Sequence, residues 1–509
     1  MKKLLLVLFA GVMVMAMAAT ASAEITVGGE IEVRYDLWDN LQLSHGTTTN
    51  MTQTFFDERV ILNVDAKITE GLEAFVELDT ENQNWGLAPS PVLATLPAYL
   101  NHEDGPMFVR QAWINFMIPG LPVGMKIGHQ PLALGHGIWL DTHRAGSDAI
   151  LVYSKPMPEL LIAGAYVRGS QNVASTPANF GAFNRLNPAF GGTAVLTNFQ
   201  AKAFDNEANF YAVLANYTFM EGNTVGLNFT YVNDNNSLPV AGFKGAAIHA
   251  YNTELVLDGN VAGVTYKGEV NWLYVNTANV GSILKGLPAT GQDYIVSAWA
   301  AMLGASYKIG NVATVGMEVA YGTGNDDNQL NGFYNPGGAA FSTATGPKFH
   351  DSAYYTPYNS TSYNYAFLYN DKIGQGPSGS GGGLGFGDGF GGFGLANTGY
   401  VKVSVGLTPM ERLSAGMDFM YLRASETMIE GQSRDLGFEI DANVAYKIYD
   451  NLTLSLNAGV FNPGAWYAFA GHSPAGVANA KMLTDGTDPD SPLRRDVAWG
   501  METKLSVKF

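Results

Sequence analysis

Three histidines stand at sevenfold spacing, His129, His136 and His143, with Asp141 and Arg144 close by. Imidazole nitrogens plus a carboxylate are the donor set of a transition-metal site. The spacing is neither the i, i+4 of a helical site nor that of a strand pair, so the reading favours no metal; the segment either packs partly into a lumen and narrows it or stays a merely external loop. Two acidic stretches, Asn325-Asp326-Asp327-Asn328 and Asp485 to Asp490, offer carboxylate and carbonyl oxygens of the kind calcium takes, without the order of an EF-hand loop. Gly387, Gly389 and Gly392 match G-x-G-x-x-G, but inside a glycine-rich run and with no strand-turn-helix around them. No P-loop, H-E-x-x-H or G-x-S-x-G occurs, which argues against an enzyme. No cofactor is expected.

The elements that must carry these residues are strands. From Arg495 to Phe509, Val497, Trp499, Met501, Leu505, Val507 and Phe509 share one parity, while Asp496, Glu502, Lys504, Ser506 and Lys508 share the other. Period two with one apolar and one charged face describes a strand between two solvents. Residues 1 to 23 read as a secretory signal, with Lys2 and Lys3, an apolar run from Leu4 to Ala19, and Ala21-Ser22-Ala23 before Glu24. Cysteine is absent, which excludes disulfides, thiolate metal sites and covalent c-type haem. Loss of Lys2 and Lys3 with the signal takes the formal charge from −17 to −19, so nucleic acid is not an expected partner.

Eight tight connections are expected at Thr69-Glu70-Gly71, Ile118 to Pro122, Pro156-Met157-Pro158, Met220-Glu221-Gly222, Asp258-Gly259-Asn260, Ile309-Gly310-Asn311, Thr408 to Glu411 and Tyr449-Asp450-Asn451. Eight hairpins, a first strand and the terminal strand give about eighteen strands. Long polar connections fall between them, the longest a Tyr- and Gly-rich loop at 323–397. The expected fold is all-β, one transmembrane antiparallel β-barrel over 24–509 with long outer loops and short periplasmic turns.

Charged parities must face the lumen, because a base at the bilayer midplane costs roughly 2 to 4 kcal/mol. The lumenal set is Glu30, Glu32, Arg34, Asp36, Asp57, Arg59, Asp65, Glu73, Glu77 and Asp79, then Lys126, Lys267, Glu269, Glu439, Asp441 and Lys504. Strands near 107–118 and 293–308 are apolar on both parities and remain unoriented.

The signal, the alternating strands and the terminal Phe509 resemble the outer-membrane porins of Gram-negative bacteria. Phe108-Val109-Arg110-Gln111-Ala112-Trp113 and Val123-Gly124-Met125-Lys126-Ile127-Gly128-His129-Gln130 look like a hairpin of alginate-export-like and phosphate-selective-like porins, with His129 where those usually carry Arg. The resemblance implies a passive channel for small hydrophilic solutes and ions in the cell outer membrane. It also implies contact with lipid and lipopolysaccharide, and a terminal signal of Leu505, Val507 and Phe509 read by the outer-membrane assembly machinery. Acid excess adds a weak cation preference. Two alternatives are a barrel sheath around a haem-bearing electron conduit and an exopolysaccharide export channel. Outward aromatics fit a monomer's belt and a homo-oligomer's interface equally.

Overall fold

The computed structural model describes residues 24–41, 52–80, 82–85, 107–143, 146–170, 208–237, 246–277, 294–324, 363–370, 372–373, 395, 397–427, 433–469 and 496–509. The expected signal segment at 1–23, the two acidic stretches and the glycine motif lie outside them.

Among these residues eighteen antiparallel strands form one closed sheet. They are β1 (Glu24–Asp39), β2 (Gln53–Thr69), β3 (Leu72–Asp79), β4 (Phe108–Met117), β5 (Val123–Gln130), β6 (Ser147–Met157), β7 (Leu160–Ser170), β8 (Ala208–Met220) and β9 (Asn223–Ser237). The circuit continues with β10 (Ala246–Val261), β11 (Val264–Thr277), β12 (Tyr294–Ile309), β13 (Ala313–Gly322), β14 (Thr398–Met410), β15 (Leu413–Ala424), β16 (Asp435–Tyr449), β17 (Leu452–Pro463) and β18 (Ala498–Lys508). Gln83–Asn84 adds a two-residue extension against β2.

Every strand pairs with its sequence neighbours, and β18 pairs back on β1 from Glu30↔Lys508 to Asp39↔Trp499. The seam is completed by Phe509, whose N–H donates to the Gly29 carbonyl at 3.1 Å while Gly29 N–H donates to the Phe509 carbonyl at 3.0 Å. Among the described residues closure leaves no unpaired edge strand, which is what an all-β wall needs where water cannot satisfy it.

Seven of the expected turns fall within two residues of their places, and one is displaced further. β10 runs through Asp258-Gly259-Asn260 to Val261, and the chain turns at Ala262 and Gly263, both with positive φ, 52° and 84°. That pair suits a tight hairpin turn of the kind that matches strand twist. Gly259 is glycine for a different reason: a Cβ there would collide with the Tyr266 ring and the Asn223 side chain. Close approach, rather than a turn, requires it.

Apolar side chains of one parity are exposed on the outer wall, among them Ile31, Val213, Leu255, Trp272, Leu303, Met317, Phe419 and Trp499. Near the long-connection end Tyr166, Tyr211, Tyr231, Tyr251 and Tyr274 form a cross-strand row over β7 to β11, with successive ring centroids 4.9–6.3 Å apart. Tyr217, Phe219, Tyr307, Tyr446, Tyr449 and Phe509 expose aromatic surface toward the short-turn end. From Tyr211 to Phe219 along β8 the chain covers about 26 Å at about 3.3 Å per residue.

The two unoriented strands are now oriented. In β4 a register shift opposite Glu77 and Leu78 inserts Arg110, so Arg110 and Gln111 both reach Glu77 on the inside while Val109 and Ile114 are exposed outside. The bulge breaks the alternation that parity relies on. In β12, Ala298, Ala300 and Met302 face inward and are buried, whereas Trp299 and Leu303 face outward. Their apolar inner face packs in the same cluster as Leu134, Ile138 and Trp139, a stretch of chain inside the barrel.

Candidate functional site: a charged and constricted lumen

One sector of the inner wall, over β1 to β4 and β18, is lined by pairs of opposite charge. Arg34 Nε donates to Asp57 Oδ1 at 2.8 Å, directly across β1 and β2. Arg59 holds Asp79 through two of its nitrogens. Arg110 Nη1 donates to Glu77 Oε1 at 2.8 Å, Lys504 Nζ lies 3.0 Å from Glu32, and Lys508 Nζ lies 3.7 Å from Glu30. A guanidinium fork meeting a buried carboxylate fixes both side chains more firmly than a lysine point charge would. Asp36 is buried on the same wall, and Glu73 accepts from Asn115 at 3.5 Å. Lys126 Nζ sits 3.7 Å from the Trp113 ring centre. The alternation of β2 puts Asp65 on this inner face too.

A second charged group lies across β10, β11, β13 and β14. Glu318 accepts from Lys267 Nζ at 2.7 Å, from Lys402 Nζ at 3.1 Å and from the Tyr400 hydroxyl at 2.6 Å. His136, Asp258, Lys267, Glu318 and Lys402 border a cavity of about 610 Å³.

Two inward segments occupy the space between these walls. The connection after β5 folds as a small hairpin, with Ala133 bridged to Asp141, Leu134 N–H donating to the Leu140 carbonyl at 3.0 Å, and positive φ at Gly135 and Gly137. Its tip, His136, donates its backbone N–H to Glu269 Oε2 at 2.5 Å, and Ile138 and Trp139 are fully buried. Arg110 ties the hairpin's base to the wall, donating from Nε and Nη2 to the His143 carbonyl at 3.1 and 2.9 Å. The inward, narrowing segment expected around the histidines is therefore present.

The second segment is Tyr363 to Ile373, from the Tyr-rich part of the long connection. The backbone N–H groups of Leu368 and Tyr369 donate to Glu439 Oε1 and Oε2 at 2.6 and 2.8 Å, and Phe367 N–H donates to Asp441 Oδ2 at 3.3 Å. Leu368, Tyr369 and Ile373 are fully buried in the apolar cluster that also contains Trp38, Phe461 and Trp466. Glu439 and Asp441, expected as lumenal wall charges, anchor this segment.

The three histidines do not share a site. His129 Nδ1 pairs with Asp148 at 2.9 Å, His136 Nε2 is 3.4 Å from Asp258, and His143 Nδ1 contacts Asp141 at 2.6 Å. Burial pulls His136 below the ordinary imidazole range, opposed by Asp258 and Glu318 and reinforced by Lys267. With the folded-state value depressed, hairpin docking is fully favoured above the unfolded pKa of about 6.5 and weakens as pH falls through it, since the undocked form then binds more protons. Single-channel noise is therefore expected to rise on mild acidification, and His136→Gln to abolish that step. A step of the same size in the variant would exclude His136.

Sequence reasoning missed Arg110, Glu318, Lys402 and Glu254. Glu318 had a visible signal, as the lone charge in the apolar strand Ala-Thr-Val-Gly-Met-Glu-Val-Ala-Tyr-Gly. Lys402 had the same signal, as the lone charge of Thr398–Met410, whereas a bulge hides the parity of Arg110.

No protein-family model matches the sequence. No curated protein matches it. Among solved structures, the outer membrane protein opdK of Pseudomonas aeruginosa superposes with a TM-score of 0.49 at 12% identity, over 96% of this chain and 98% of that one. A BenF-like porin from Pseudomonas fluorescens Pf-5 gives 0.48 at 11%, over 96% and 98%. OccAB1 of Acinetobacter baumannii gives 0.47 at 11%, over 95% and 96%.

Proposed function

We propose that the chain is a porin of a Gram-negative outer membrane, a passive aqueous channel for small hydrophilic solutes and ions with a weak preference for cations. The observation that carries this reading is the division of one closed wall into two faces: apolar side chains between two aromatic zones outside, and ion-paired charge inside. Only lipid outside and water inside satisfy both faces. Transport is diffusion without chemistry. Export by residues 1–23, contact with lipopolysaccharide and assembly through Leu505, Val507 and Phe509 belong to the same proposal.

The cation preference rests on what remains after pairing. Arg34, Arg59, Arg110, Lys267, Lys402 and Lys504 all contact inner-wall acids and Lys126 lies over Trp113, whereas Glu73 accepts from the neutral Asn115 amide and Asp65 keeps a carboxylate oxygen without a hydrogen-bond donor among the described residues. A low-dielectric wall focuses that excess, and salt screens it as the Debye length falls to roughly 3 Å at 1 M. The occupied interior argues for a channel over a sheath, since a haem protein would need the space that residues 133–141, 363–370 and 372–373 take. A local likeness of the Phe108 to Gln130 hairpin to phosphate-selective-like and alginate-export-like porins is the counter-reading.

Reconstitution in a planar bilayer under a salt gradient tests it. The reversal potential is expected to show cation preference at low salt that fades at high salt. Glu30→Lys with Glu32→Lys is expected to move it toward anions, because Lys504 and Lys508 lose their partners as two bases are added. Clear anion preference in the unmodified protein overturns the acidic-lumen reading. A soluble protein whose gel migration does not change on heating overturns the barrel in a membrane.

A further inference from the structure

Behind the hairpin tip, the inner faces of β9, β10 and β11 form a buried patch of carboxylate, amide and hydroxyl groups. Asn228, Thr230, Asn252, Glu254, Glu269 and Asn271 are all buried there. Asn228 stands directly across from Glu254, Glu254 across from Asn271, and Thr230 across from Asn252. The amide donors run one way: Asn252 Nδ2 donates to Asn271 Oδ1 at 2.8 Å, and Asn271 Nδ2 donates to Glu269 Oε1 at 2.5 Å. Glu269 Oε2 takes the His136 backbone N–H. Both oxygens of Glu269 are thus satisfied.

Glu254 has the opposite fate. Its side chain is 0% exposed, and neither of its carboxylate oxygens accepts a hydrogen bond of normal geometry. The Asn228 Oδ1, Asn252 Oδ1 and Thr230 Oγ1 atoms beside it are also without partners. A buried carboxylate whose neighbouring donors are the Asn228 amide and the Thr230 hydroxyl, and beside which the Asn228 and Asn252 carbonyl oxygens stay unpaired, is short of compensation. One proton on Glu254 would supply a donor to a single amide carbonyl and leave the other unmet. A hard cation meets all of them at once.

We propose that Glu254, Asn228, Asn252 and Thr230 hold a calcium ion on the barrel wall, with Glu269 as the second negative charge and the hairpin tip as its roof. Calcium takes about six to eight oxygens from carboxylates, amide carbonyls and water, and tolerates irregular geometry. Neither nitrogen nor sulfur donors, which zinc and copper prefer, are in the set. Gly135 fits the roof because it lies against both carboxylates, where a Cβ would strike Glu254 and come within 2.6 Å of Glu269 Oε2. Its φ of +50° adds a second reason for glycine. The ion ties the constricting hairpin to the wall, and the inference does not depend on what the lumen conducts.

The test uses the full-length barrel in detergent, stripped with a chelator and titrated with calcium chloride by calorimetry. Any binding at the acidic stretches 325–328 and 485–490 is common to wild type and variants, so the reading is the difference between proteins. Wild type is expected to bind one equivalent more than Glu254→Gln and to gain thermal stability that the variant does not. Asn252→Ala is expected to weaken that equivalent at least tenfold, and it serves as the reading should Glu254→Gln lose the heat-modifiable migration of a folded barrel. Equal stoichiometry in wild type and variants overturns the proposal. So does a protonated-carboxyl infrared band that persists with calcium and vanishes in Glu254→Gln.

Discussion

Excising the inward hairpin, by joining Leu132 to Thr142 through a short Gly-Ser bridge, is expected to raise single-channel conductance several-fold and to reduce ion preference in the same recordings. Leu132 and Thr142 already exchange hydrogen bonds, Thr142 N–H to the Leu132 carbonyl at 2.8 Å and Leu132 N–H to Thr142 Oγ1 at 3.0 Å, so the cut ends lie close together and the wall is undisturbed. What leaves is the Ile138 and Trp139 plug and the His136 tip. A barrel of this strand number encloses an aqueous passage unless its own chain fills it. Barrel integrity is checked by heat-modifiable migration, and unchanged conductance in an intact barrel would show that the hairpin is not the limiting constriction.

The second large effect is at the C-terminus. Deleting Phe509 is expected to lower the amount of barrel in the outer membrane by about ten-fold or more, and Phe509→Ala nearly as much. The two variants separate the causes. Deletion removes two seam hydrogen bonds with Gly29, worth about 1 kcal/mol each, whereas Phe509→Ala keeps them and removes only an outward ring that is 60% exposed. A loss of about 2 kcal/mol is small against a closed sheet of eighteen strands, so a large fall in both variants indicates that the side chain is read during assembly. Normal levels of Phe509→Ala with failure of the deletion would leave only the seam as the explanation. Quantitative blotting of membrane fractions, with unassembled chain counted separately, gives the answer.

The wall was legible because lipid and water impose opposite chemistry on alternate residues. Glu30, Glu32 and Arg34 against Ile31, Val33 and Tyr35 place β1 in the sheet without any tertiary information, and β16 is as clear. Legibility ended wherever the interior ceased to be wet. On β12 the inner residues are Ala298, Ala300 and Met302 because a plug covers them, so both faces read as apolar. On β4 one inserted residue, Arg110, destroyed the parity. The anchoring of Tyr363 to Ile373 by Glu439 and Asp441 joins residues some 70 positions apart through backbone N–H groups, which no side-chain pattern announces. The role of Glu254 depends on which donors its neighbours turn away from it, an orientation that sequence does not encode locally.

The apolar cluster inside the barrel also alters how the protein can change over generations. On an open lumen each inward position answers only to solvent, and substitutions there are independent. Leu273, Val275 and Met302 share one buried cluster with Ile138 and Trp139, and Phe461 answers to Tyr369 and Tyr467. Wall and plug are therefore bound to vary together, one accommodating each change of volume in the other, while the tyrosine row outside answers only to its own stacked members. Two histories are written on alternate residues of the same strands.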